Sequence, residues 1–226
     1  MPLYMNFYLC MFLLCVTGVL SGALRRARIH PAVASFFMLL ALFFSVFEDV
    51  QILPRLYANP GGFFVPMAGG ILLLAQRPYT RHAQLAAYIV LTMLIGFLMG
   101  QVLESLTDIW FHGAPWIVFA TCIVSSLLFC QTHHLALTCA VLSYYGAGLL
   151  RYFFVILPQG WVSLSLGSGL DALPCALLYP ATLLACEVIR MISVVIRRRK
   201  QNKQSLPPEP IAQTNPVATE TGQQSA

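Results

Sequence analysis

The stretch LALTCAVLSYYGAGLLRYFFVILP, residues 135–158, runs 24 positions with one charged side chain, Arg151. At 1.5 Å per residue, about 20 mostly apolar residues cross roughly 30 Å of hydrocarbon. A run this long and this poor in charge reads as a membrane-spanning helix. The rest of the chain repeats the signal. Apolar segments at about 3–24, 31–47, 61–75, 83–103, 115–130 and 172–196 bring the expected number of spans to seven. The 61–75 segment is short and carries Pro66, Gly69 and Gly70, which leaves a tilted, kinked or re-entrant course open beside a plain crossing.

Composition agrees. Of 226 residues, 58% are hydrophobic and only 9% charged, and mean hydropathy is +0.76. Soluble domains carry about 25% charged residues, so a water-soluble globule is excluded. A nucleic-acid module, a disordered chain and a disulfide-stapled secreted domain are excluded with it. The expected fold is an all-α polytopic transmembrane helix bundle over residues 1–196. A basic, then polar, disordered cytoplasmic tail is expected over 197–226, whose Pro-, Gln- and Thr-rich composition cannot bury a core.

Charge placement orients the bundle. Eleven of the thirteen Lys and Arg residues fall in three places: Arg25, Arg26 and Arg28; Arg77 and Arg81; and Arg190, Arg197, Arg198, Arg199, Lys200 and Lys203. Glu48, Asp49, Glu104, Asp108 and Asp171 lie in or near the alternate links. Seven spans put every basic link on one side and every acidic link on the other. The positive-inside rule then places the N-terminus outside and the C-terminus in the cytoplasm. Deleting the third span would move Arg77 and Arg81 to the acidic side. The first apolar run has no basic region before it and no small-residue cleavage site, as expected of an uncleaved span. The cluster Arg197, Arg198, Arg199 and Lys200 anchors the last helix and attracts anionic lipid headgroups, at about 1 kcal/mol per charge. Trp110, Trp116 and Trp161, with Tyr57 and Tyr152, gather near the expected outer interface as an aromatic belt.

Few polar residues lie within the spans. Gln101, Glu104 and Asp108 are spaced three and four apart and share one helical face near the outer surface. Arg151 sits about six residues before the outer end of its span, roughly 9 Å deep. A lone charge there is costly. It either pairs with Glu104 or Asp108 to orient the sixth span against the fourth, snorkels past Tyr152 to the headgroups, or serves a substrate or ion site. Glu187 and Arg190 read as an i,i+3 pair, and Asp171 as a cap on the seventh span. Gly18-x-x-x-Gly22 and Gly96-x-x-x-Gly100 are small-x-x-x-small patterns that let helices approach closely.

No catalytic, cofactor or metal residues are assigned. The seven cysteines form no C-x-x-C pair and read as small packing residues. His30, His82, His133 and His134 share the cytoplasmic side without metal-ligand spacing or a carboxylate companion. No Ser–His–Asp set, H-E-x-x-H, G-x-S-x-G or Walker loop is present, and no internal repeat suggests the inverted halves of common carriers.

Four pieces, in order, carry a resemblance: NFY (6–8), GGFF (61–64), LESLTDIWFHGAPWIVFA (103–120) and LDAL (170–173). Together they resemble the YphA-like bacterial membrane proteins over about residues 1–190, leaving out the basic tail. The resemblance implies a bacterial plasma membrane and a small multi-pass protein, and it implies no reaction. Three classes of function then stand open. The leading expectation is a non-enzymatic accessory or assembly protein of the cell envelope, binding other membrane proteins through its helices. The alternative is a small-solute or ion transporter or channel with an outward-facing polar site around Glu104, Asp108 and Arg151. A lipid-modifying enzyme is weakest, because acids and histidines fall on opposite sides, His112 apart.

Overall fold

The computed structural model describes residues 3–76, 82–106, 114–130, 132–160 and 163–204. Contacts divide the chain into two units, Met1–Val188 and Ile189–Ala226. The structure is mostly helical. In chain order the first elements are α1 (Leu3–Val16), α2 (Ser21–Arg26) and α3 (Pro31–Phe44). A short hairpin follows, β1 (Val50–Leu53) and β2 (Leu56–Ala58), and then a π-helical turn, Pro60–Phe64, that runs into α4 (Val65–Ala75). Next come α5 (His82–Leu106), α6 (Ala114–Phe129), α7 (His133–Arg151), the short α8 (Leu157–Gln159), β3 (Leu164–Leu166) and α9 (Ala172–Gln204).

Three helical stretches are long and apolar enough to cross a membrane: Ala83–Val102, His133–Gln159 and Gly169–Arg198. The other four apolar segments form shorter helices, Leu3–Val16, Pro31–Phe44, Pro60–Ala75 and Pro115–Phe129.

Two boundaries differ from the expectation. The run 3–24 is not one helix: it ends at Val16, turns through Gly18 at φ +78°, and restarts at Ser21. Gly reaches that left-handed backbone without the Cβ penalty that other residues meet. At the other end, the chain beyond 196 does not at once leave the helix. Arg, Lys and Gln are good helix formers, and α9 carries Arg197, Arg198, Arg199 and Lys200 on to Gln204. Residues 205–226 of the expected tail lie outside the described residues.

α7 is the central helix of the first unit. Most of its residues from His134 to Ala147 are buried, and it packs on α4, α5 and α6. Its small residues make this possible. A Cβ on Gly146 would stand 2.4 Å from Met93 Sδ, and one on Gly148 would stand 2.9 Å from Leu166 Cδ2. Tyr145, Leu137, Val141 and Leu178 are fully buried around it. Six of the seven cysteines are buried as free thiols, and Cys10 is exposed.

The sheet is the element that hydropathy does not announce. β1 and β2 pair antiparallel around Pro54 and Arg55, the latter at φ +68°, and β2 pairs parallel with β3. The three strands close the end of the unit where α3 stops and α9 begins. Asn59 holds the junction. Its Oδ1 accepts from the N–H groups of Gly61 and Gly62, both at 3.0 Å, and its Nδ2 donates to Phe47 O at 3.2 Å and Asp49 Oδ1 at 3.3 Å. Ser168 donates to the other oxygen of Asp49. The two glycines are required here. A Cβ on Gly61 would fall 2.2 Å from Ala41 O, and one on Gly62 would fall 2.1 Å from Gly167 O. Tyr145 Oη donates to Gly62 O at 2.8 Å, and Tyr152 Oη donates to Pro54 O at 2.9 Å. Tyr152 is thus only 1% exposed. It belongs to the core and not to the expected aromatic belt, because the sheet supplies a carbonyl for its hydroxyl. Trp110 and Trp161 lie outside the described residues.

Candidate functional site

Two cavities and one ion-pair cluster gather the polar groups of the first unit. The smaller cavity, of about 40 Å³, is lined by Gln101 of α5, Tyr144 and Arg151 of α7, and Asp171 and Cys175 at the start of α9. Tyr144 Oη donates to Asp171 Oδ1 at 3.4 Å. The Arg151 guanidinium lines the same cavity. Cys175, Tyr145 and Gly167 line the same cavity. A volume of this size holds about two or three water molecules.

Arg151 therefore shares its cavity with an acid from the approach to the last helix, 20 positions on in sequence. Asp171 is more than the helix cap that its position suggested: it ends a 3₁₀ turn, Gly169–Asp171, and faces α7. Of the expected cluster, Gln101 and Arg151 share this cavity. Glu104 belongs to α5, but its side chain, like all of Asp108, lies outside the described residues. The signal that could have found Asp171 was its place at the outer end of its span, level with Arg151 under the seven-span topology.

A second cluster joins three helices at the opposite, basic end. Glu187 of α9 accepts from Arg26 of α2, and its Oε1 lies 3.5 Å from His133 Nε2 of α7. The expected i,i+3 reading of Glu187 thus misses its long-range partners. His30 caps α3, its Nδ1 accepting from Ala32 N at 3.3 Å. Among the described residues, no group of three His, Cys, Asp or Glu could hold a metal ion.

The two glycine pairs have opposite fates. A Cβ on Gly96 would stand 2.8 Å from Cys122 Sγ, and one on Gly100 would stand 2.9 Å from Val118 Cγ2, so this pair seats α6 against α5. A Cβ on Gly18 would meet nothing within 4 Å, and one on Gly22 would meet only Arg26 Nη2 at 3.9 Å. The expected packing role of Gly18 and Gly22 is corrected. The helix breaks between them, so they line no common helical face, and Gly18 serves the turn.

The larger cavity, of about 300 Å³, lies between α1, α3, α4 and α9. Its wall is almost wholly apolar, including Met11, Met38, Leu73 and Leu183, with Tyr8 and Tyr179 deep in the bundle and Arg28, His30 and Gln76 at one end. Tyr179 Oη donates to Pro66 O at 2.7 Å. The Tyr8 hydroxyl is buried and has no hydrogen-bond partner among the described residues. No sequence feature pointed to this cavity, because its lining comes from four separated segments. No family model, curated protein or solved structure matches the chain.

Proposed function

We propose that the chain is a multi-pass protein of a bacterial cell membrane, with its N-terminus outside and its C-terminus in the cytoplasm. It acts as a non-enzymatic accessory or assembly protein. The observation that carries this reading is the use of the charged side chains. Arg151 faces Asp171 and Tyr144 around a space of only about 40 Å³, and Glu187 joins Arg26 and His133. Both sets tie helices together, and neither lines a path of solute width. In a bilayer, paired intramembrane charges of this kind orient spans against one another.

Seven apolar helical segments support the seven-span count. The helix Pro60–Ala75 is continuous and reaches about 24 Å, close to the hydrocarbon thickness, which favours a crossing over a re-entrant course. The resemblance to YphA-like proteins supports the bacterial membrane. The basic residues Arg197, Arg198, Arg199 and Lys200 attract anionic headgroups on the cytoplasmic side. The second reading is a transporter or channel with an outward polar site around Glu104, Asp108 and Arg151. It is favoured by the shared cavity of Gln101 and Arg151.

The test pairs mass spectrometry of the protein in its native lipid with flux measurements in proteoliposomes. A stoichiometric protein partner, and no proton, potassium or chloride flux above empty vesicles, is expected. A solitary protein whose flux disappears in Arg151→Ala would overturn the accessory reading in favour of the second.

A further inference from the structure

We infer that the larger cavity is a binding site for one acyl chain of an anionic phospholipid, whose phosphate sits at Arg28 and His30. The inference rests on the membrane reading above and goes beyond it, since that reading requires no ligand.

The cavity has the size and chemistry for a hydrocarbon chain. An enclosed apolar cavity of about 150 Å³ takes up benzene. At about 300 Å³ this one has room for about a dozen carbon atoms. Water gains little there, because the walls offer few polar partners, and an empty space would forfeit the dispersion contacts of its lining. In a bilayer the nearest filler is a lipid tail. Access is lateral: Val33 and Leu72, both on the lining, are 48% and 51% exposed.

The polar atoms are arranged for an amphiphile. At one end Arg28 is exposed, and among the described residues no carboxylate pairs with it. Arg28 is held at φ +59° in the α2–α3 link, so its position is set by the backbone. His30 beside it accepts through Nδ1 from Ala32, which leaves the neutral ring's proton on Nε2 as a second donor. Deep in the bundle stands the Tyr8 hydroxyl, which has no hydrogen-bond partner among the described residues and is 3% exposed for the residue as a whole. A buried hydroxyl with no partner is costly, and it marks this depth as a place that the packing of the described residues leaves incomplete. Pro180 adds an acceptor, because its missing N–H leaves the Ala176 carbonyl without its helical donor, and both residues line the cavity.

The experiment uses the full chain in nanodiscs with phosphatidylglycerol carrying a photoreactive group in its tail, with the matching phosphatidylcholine and fatty acid as comparisons. Peptide mapping reads two places: the cavity, at Met11, Met38 and Leu73, and the outer face, at Leu128 of α6, which is 78% exposed. The expected result is labelling at both, with cavity labelling several-fold stronger for phosphatidylglycerol than for phosphatidylcholine. Arg28→Asn keeps a residue that tolerates the left-handed backbone and removes the charge. It should lower cavity labelling by phosphatidylglycerol about fivefold, the equivalent of about 1 kcal/mol per charge, while leaving Leu128 unchanged. Ala34→Phe, filling the cavity, should abolish cavity labelling alone. The wild-type comparison between lipids decides the matter even where that variant does not fold.

Cavity labelling that does not exceed labelling at Leu128 overturns the site. Equal cavity labelling by both phospholipids, unmoved by Arg28→Asn, overturns the headgroup assignment. Stronger labelling by the fatty acid names a free carboxylate amphiphile and overturns the phospholipid. Labelling at neither place would instead sink the membrane reading itself.

Discussion

The two cavities of the first unit are built by opposite rules. The small one holds polar groups that answer one another: the Tyr144 phenol donates to the Asp171 carboxylate, and the Arg151 guanidinium lines the same space. The large one is apolar and unmatched, with a charge at its end and a hydroxyl at its depth that has no partner among the described residues. Burial of charge is tolerated only where the charges answer each other. An orphan hydroxyl beside open space points outward, to something the chain does not itself supply. The small cavity is therefore a joint, and the large one a receptacle.

Substitutions can break or sharpen this contrast. The largest effect is expected at the joint. Arg151→Ala removes the cation from the cavity that Asp171 and Tyr144 share and should destabilise by about 1–3 kcal/mol, read as a lowered melting temperature in detergent. Arg151→Met combined with Asp171→Asn should recover much of the loss. A double variant no better than the single one would deny the pairing.

Next comes the packed seam of α5 and α6. Gly96→Ala forces a methyl against Cys122 and should cost about 1–3 kcal/mol. Gly22→Ala, on a helix with open space around it, should be neutral or stabilise by about 0.5–1 kcal/mol. Equal effects at the two glycines would remove the distinction drawn between them.

At the receptacle the effect should depend on lipid. In lipid-free detergent, Tyr8→Phe removes an unsatisfied buried hydroxyl and should leave stability unchanged or raise it by about 1 kcal/mol. With phosphatidylglycerol added, the wild type should gain more thermal stability than Arg28→Asn, since a ligand stabilises according to its affinity. A wild type indifferent to phosphatidylglycerol would speak against the site. A modest effect is expected at Gly18. Its φ of +78° is strained for alanine, but the space beside it is open, so Gly18→Ala should cost about 1 kcal/mol.

The glycine patterns also show how far spacing alone reaches. Gly18-x-x-x-Gly22 and Gly96-x-x-x-Gly100 are indistinguishable as strings, yet one spans a turn and the other seats a neighbouring helix. Hydropathy marks where a helix is affordable in lipid but does not mark where one stops, and a glycine is compatible with either outcome. The hairpin left a faint trace in VQILPRLYA, where Pro54 and Arg55 separate two short apolar runs. Its third strand, LSL at Leu164–Leu166, left none, because a three-residue parallel partner has no periodicity to read. The candidate site was half legible. Arg151 stood out as a charge in a long apolar run, and Gln101 as its neighbour across the bundle. Asp171 was taken for a cap because local position explains an acid at a helix start without a distant partner.

Sequence alone determined the helical class, the places of the apolar segments and the uneven distribution of charge, since each follows from transfer of side chains between water and hydrocarbon, residue by residue. Tertiary structure alone decided that Arg151 shares a cavity with Asp171, that Glu187 joins Arg26 and His133, that Gly61 admits the end of α3 and Gly62 the Gly167 loop, and that four helices leave a cavity between them. Those outcomes depend on which faces meet between segments up to 161 positions apart, and no local propensity encodes the shape left over when they do.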